Sequence, residues 1–114
     1  MGTLAQKILA AHSGKKHVEV GEIVVAKPDY VLSHDNSAAI IGHFAKTGRT
    51  KLYDPSMSVI VLDHTVPAAQ SVYADNHKSV REFVKEQGIE HFYDLNRGIC
   101  HQVLPEEGFA FPGG

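Results

Sequence analysis

The stretch Ser58-Val59-Ile60-Val61-Leu62-Asp63-His64 decides the fold class. The unbroken run Val59 to Leu62 has no polar face to offer water, which is the pattern of a strand covered on both faces in a parallel sheet. The polar pair Asp63-His64 ends it. On the upstream side, Tyr30-Val31-Leu32 is a second short extended run, leading into Ser33-His34-Asp35-Asn36-Ser37, small polar residues that start helices. The helix they open carries Ile40, Ile41 and Phe44 on one side and ends at Gly48. On the downstream side, a helix follows Pro67 through Val72, Val80, Phe83 and Val84, clearest from Asp75, and stops at Gly88; Ile89 to Tyr93 reads as a further strand. Glu19 to Ala26 also reads as a strand, interrupted at Gly21 and stopped by Pro28, which cannot donate to a ladder. At the start, Thr3-Leu4-Ala5-Gln6 has capping-box spacing before the stripe Leu4, Ile8 and Leu9, and Gly14 can close that helix in the left-handed conformation. Helices alternating with strands across short polar connections predict one α/β domain over residues 1–114. It should have three layers, a largely parallel sheet and right-handed crossovers.

Composition narrows the function. At 114 residues and 43% hydrophobic, folding buries roughly two-thirds of the unfolded surface, enough for a core without staples. Eleven Lys and Arg against thirteen Asp and Glu, with no long run of like charge, give no footprint for nucleic acid or an anionic membrane. The single cysteine, Cys100, allows no internal disulfide and no cluster or structural zinc site of its own. No apolar stretch approaches the ~20 residues of a membrane span, and Met1 to Ala11 lacks the features of a signal peptide. A reducing, cytoplasmic location is the economical expectation.

Ligands in open parallel sheets collect beyond the carboxyl ends of the strands. Three polar clusters fall where such ends are expected: His34-Asp35, Asp63-His64, and Cys100-His101-Gln102 after a turn at Gly98. An adjacent aspartate can orient an imidazole, hold its tautomer and raise its basicity, as a general acid for a leaving hydroxyl requires. The bland reading of Asp63 is a strand-end carboxylate capping a turn. His34-Asp35 also resembles a metal-binding His-Asp dyad, but it precedes its helix and lacks the further ligands such a site needs. Gly42 to Thr50 has neither the spacing nor the lysine of a phosphate loop. No histidine pair has helical zinc spacing with a third ligand close by, so His12, His17, His43, His77 and His91 read as surface or boundary residues.

The segment Gly98-Ile99-Cys100-His101-Gln102-Val103-Leu104-Pro105-Glu106-Glu107-Gly108, continued by Phe111-Pro112-Gly113, resembles the aconitase superfamily, on the branch of the 3-isopropylmalate dehydratase and homoaconitase large subunits. Thr3 to Leu9, His34-Asp35, and Val61-Leu62-Asp63-His64 with Val66-Pro67-Ala68 match in the same order. The resemblance implies an aconitase-type amino-terminal domain belonging to a longer subunit. It also implies a hydro-lyase that isomerises a hydroxy-dicarboxylic or tricarboxylic acid by dehydration and rehydration, as in leucine biosynthesis. The family's 4Fe-4S cluster and the base that removes the α-proton would lie outside this chain, so the chain alone should hold no cofactor and show no activity. Within it, Asp63, His64 and His101 would line the catalytic cleft and His34 would contact substrate. A small subunit carrying a swivelling domain, and the remainder of the large subunit, would be the partners.

A different class stays open, a stand-alone α/β binding or interaction module that needs no cluster. Isopropylmalate, homocitrate and dimethylmalate are not separated by these residues. If the chain is a piece of a larger architecture, Phe109 and Phe111 are expected to be poorly ordered or to bury themselves against a second copy, as a homo-oligomer.

Overall fold

In the computed structural model, which describes residues 2–112, the Val59 to Leu62 run supplies the middle strand of a three-stranded parallel sheet. Gly113 of the quoted motif, with Met1 and Gly114 at the ends of the expected domain, lies outside the described residues. The elements in chain order are α1 (Leu4–Ser13), β1 (Val31–Ser33), α2 (Ser37–Lys46), β2 (Ser58–Val61), α3 (Ser71–Gln87), β3 (His91–Tyr93) and α4 (Cys100–Glu106), with a short 3-10 turn at Pro55–Met57. Strand order is β1-β2-β3, with Leu32 opposite Val59 and Val59 opposite His91. Crossovers of one hand between successive neighbouring strands put their helices on the same face, and α2 and α3 indeed pack together.

Side chains alternate across a strand, so the central run feeds both layers. Ile60 and Leu62 face α2 and α3, forming a core with Val80, Val84 and Ile89 against which Ala38, Ile41, Phe83 and Phe92 pack. Val59 and Val61 face the other way onto Cys100 and Val103 of α4, with Tyr93, Leu104 and Phe109 around them. The result is the expected three-layer arrangement. Leu62 is 1% exposed and both valines are wholly buried, each worth about 1.5–3 kcal/mol of hydrophobic transfer.

Local signals act as read. Gln6 N donates to Thr3 Oγ1 at 3.2 Å while Thr3 N donates to Gln6 Oε1 at 2.9 Å, closing the capping box. Gly88 ends α3 at φ 67°, and Ile89 N then reaches Val84 O at 3.0 Å, turning the chain into β3. Gln87 pins the α2–β2 connection to the end of α3, accepting from Leu52 N and donating to Thr50 O, both at 2.9 Å.

Three expectations are corrected. Glu19 to Ala26 is not a strand: it has no ladder partner among the described residues, and Val20, Ile23 and Val25 are 90%, 95% and 91% exposed. Its β-branched composition favours extended backbone, but a strand exists only through pairing. Here Gly21, at φ 85°, makes a turn in which Glu22 N bonds Glu19 O. Ile40 lies half exposed on α2, so the buried stripe of that helix runs through Ala38 and Ile41. Phe109 packs within its own domain, edge-on to Tyr30 and His91 with ring centroids 4.8 Å away in both cases, while Phe111 stays exposed.

Candidate functional site

The site forms where the chain leaves β1 and β2 at their carboxyl ends. After β1 the backbone turns tightly: His34 N donates to Asn36 Oδ1 at 3.1 Å, and Ser37 Oγ donates to the His34 carbonyl at 2.5 Å. That turn directs the Asp35 carboxylate, 9% exposed, across to the segment following β2. Its Oδ2 accepts from Asp63 N at 3.0 Å and His64 N at 2.7 Å. Its Oδ1 accepts from Thr65 N at 3.3 Å, Thr65 Oγ1 at 2.5 Å and His77 Nε2 at 2.6 Å. Burial pushes this carboxyl upward, but the bonds from Thr65, His64, His77 and Asp63 outweigh it and hold Asp35 well below the usual carboxylate range.

Above this anchor sits a second carboxylate-imidazole pair. Asp63 Oδ1 meets His64 Nδ1 at 2.5 Å, and Asp63 Oδ2 accepts from the Cys100 backbone amide, also at 2.5 Å. Burial alone would raise the Asp63 carboxyl; the Cys100 amide and His64 lower it further than burial raises it. An ionised carboxylate only accepts, so the bonded ring nitrogen of His64 carries the hydrogen and the neutral ring keeps Nε2 as its open acceptor. The His64 side chain is 42% exposed while Asp63 is 2% exposed, so the imidazole faces solvent with its partner behind it. His34 stacks on His64 with centroids 4.0 Å apart and planes 19° from parallel. Nε2 can take up a proton to form the imidazolium and then deliver it, with the ring's charge balanced by a fixed carboxylate.

Of the residues singled out from sequence, His34, Asp63 and His64 come together. His101 stands on the first turn of α4, exposed, and is linked to the cluster through its neighbour Cys100. Burial, together with Asp63, pushes the Cys100 thiol up. Ligand atoms of His34, Asp35, Asp63 and His64 lie within 4.8 Å of one another, close enough for a metal ion. The donor chemistry does not favour one: both oxygens of Asp35 and both of Asp63 already accept hydrogen bonds.

Sequence reading missed Thr65 and His77 and underrated Asp35. His77 is no surface residue but 2% exposed, corrected here because it shares the inward face of α3 with Val80 and Val84. The spacing 77, 80, 84 is the helical core stripe, and a histidine on that stripe was the available signal.

A family model for the aconitase family (aconitate hydratase) matches residues 6–114. The chain belongs to the aconitase family. This aconitase-family chain is 46% identical over 112 residues to a probable 3-isopropylmalate dehydratase large subunit of Methanothermobacter thermautotrophicus, a match covering 97% of the chain and 27% of that protein. It is 49% identical over 112 residues to 3-isopropylmalate dehydratase large subunit 1 of Methanopyrus kandleri, with the same coverage. Identity is 44% to the large subunit of Aquifex aeolicus, of which it covers 26%. The chain thus spans about a quarter of the length of these curated relatives. Aconitase-family enzymes generally use a 4Fe-4S cluster, which needs three or four thiolates. The residues of this chain do not fit that group: its one cysteine is 2% exposed and packs from α4 against Val59 and Val61 of the sheet. No helix among the described residues is long and apolar enough to cross a membrane.

Proposed function

We propose that the complete protein is a hydro-lyase of the 3-isopropylmalate dehydratase type, and that this chain, as its amino-terminal α/β domain, supplies the proton-handling wall of the active site. The substrate class is a hydroxy-dicarboxylic or tricarboxylic acid, isomerised by loss and re-addition of water as in leucine biosynthesis. In dehydration His64 acts as the imidazolium, with hydrogen on both ring nitrogens. The C–O bond breaks, and the departing hydroxyl takes the proton from Nε2 and leaves as water, returning the ring to its neutral form with hydrogen on Nδ1. Asp63 holds the other ring nitrogen throughout. In rehydration the same nitrogen recovers a proton from water. The α-proton leaves to a base outside this chain, and the 4Fe-4S cluster is likewise held by residues outside it. His34 contacts substrate beside His64, and His101 joins the same cleft from α4. The remainder of the large subunit and a small subunit with a swivelling domain complete the enzyme in the cytoplasm.

The observation that carries this reading is the Asp63–His64 pair at 2.5 Å, its free nitrogen facing solvent beside His34 at the carboxyl end of a parallel sheet. In the assembled large and small subunits, His64→Asn should lower kcat by about 10²- to 10⁴-fold with a small change in KM, the usual range for a lost general acid. A variant turning over as fast as the unaltered enzyme overturns the assignment.

A further inference from the structure

We propose that Asp35, braced from beneath by buried His77, is the positioning residue of this site: it folds the segment after β2 so that Asp63 and His64 point to the same side. Successive residues in an extended strand project to opposite faces, so an aspartate and the histidine following it cannot meet while the strand continues. In this protein they do meet, at 2.5 Å. What departs from the strand is the backbone of residues 63 to 65, and its three successive amides converge on one carboxylate, that of Asp35. Three successive amides aimed at the two oxygens of one carboxylate describe a turn and not a ladder.

His77 fixes the acceptor. It rises from α3 among Val80 and Val84, where packing alone would be met by an apolar side chain. Its Nε2 lies 2.6 Å from Asp35 Oδ1 and 3.0 Å from Thr65 Oγ1, and Thr65 Oγ1 itself reaches the same carboxylate oxygen at 2.5 Å. The three groups close a triangle that leaves Asp35 one rotamer and ties the turn to the core. Two carboxylate-imidazole pairs are thereby layered, with the buried pair setting the geometry of the exposed one. Asp35 and His77 need not touch substrate; they act through Asp63 and His64. The inference rests on reading His64 as the proton carrier, but its test reads a ring-nitrogen state and needs no turnover.

The test uses the 114-residue chain labelled with 15N, with the His64 ring nitrogens followed by long-range proton–nitrogen correlation. The unaltered chain should show neutral His64 as a single tautomer bearing hydrogen on Nδ1. Asp35→Asn should keep the β2 and β3 amide pattern while His64 relaxes to the mixed tautomers of a free imidazole. His77→Gln, whose amide nitrogen reaches where Nε2 stood, should retain the single tautomer, and His77→Leu should lose it. A purely structural brace would leave the His64 tautomer unmoved in every folded variant, and that result overturns the proposal. If Asp35→Asn fails to fold, Thr65→Val and His77→Leu are read by the same criterion, and an unmoved tautomer in both overturns it equally. Loss of turnover in His64→Asn with the tautomer insensitive to Asp35 would sink this inference and leave the proposed function standing; the converse separates them the other way.

Discussion

Asp35→Asn should destabilise the chain by about 3–5 kcal/mol at neutral pH, the size expected when one member of a buried pair is removed, and by progressively less as pH falls below about 5. The carboxylate accepts from five donors, and the shortest two, from Thr65 Oγ1 and His77 Nε2, meet at Oδ1. A hydrogen bond to a charged acceptor contributes about 1.5–3 kcal/mol, and asparagine keeps one acceptor while turning an NH2 group toward the remaining donors. The 63–65 amides can regain water, so the two bonds at Oδ1 set most of the loss. Against a whole-domain stability of about 6–17 kcal/mol for 114 residues, the loss is plainly measurable. The pH dependence follows from the direction of the shift. The folded-state pKa of Asp35 is depressed below its unfolded value of about 3.9, so its contribution is complete above that value and lost as pH falls through the folded one. The unaltered protein should therefore lose stability from about pH 5 downward and converge on the asparagine variant. The acid effect at Asp94, also depressed and held by Arg81, occurs in both proteins and cancels in the difference. Urea unfolding followed by far-ultraviolet circular dichroism across this range measures it. A difference under ~1 kcal/mol near neutrality, or one that persists unchanged below about pH 2, would refute the linkage argument.

Leu62→Ala, at a position 1% exposed, should cost about 2–5 kcal/mol, lowering the urea midpoint at unchanged slope. Replacing Val20, Ile23 and Val25 together with threonine should change stability by no more than about 0.5 kcal/mol per site, since all three are at least 90% exposed; a larger loss in thermal melts would mean that the ribbon packs. Gly88→Ala should cost about 1 kcal/mol through strain at φ 67° alone, because a Cβ there meets open space, and Gly88→Asn should cost less. Cys100, 2% exposed with its thiol pushed up, should react with a disulfide reagent only after unfolding; fast stoichiometric reaction of the native chain would contradict its burial.

The layered α/β architecture was legible in the residues because its signals are local. An apolar run with no polar face has few places to go other than the middle of a sheet, and the Thr3–Gln6 box and Gly88 mark helix ends through bonds that span four or five residues. The pairing of Asp63 with His64 could be suspected for the same reason, being adjacent in sequence. What the tertiary structure alone decided is everything that depends on a partner far along the chain. Whether Glu19 to Ala26 is a strand depends on a neighbouring strand, and no partner reaches it among the described residues. That Asp35 gathers amides from 63 to 65, with His77 beneath it, joins residues 28 to 42 positions apart, distances over which composition and periodicity carry no information. His77 looked like a surface histidine because imidazole is polar; it is buried because the one carboxylate that can satisfy it lies at the end of β1, and only the packing of α3 across the sheet brings the two within hydrogen-bond reach.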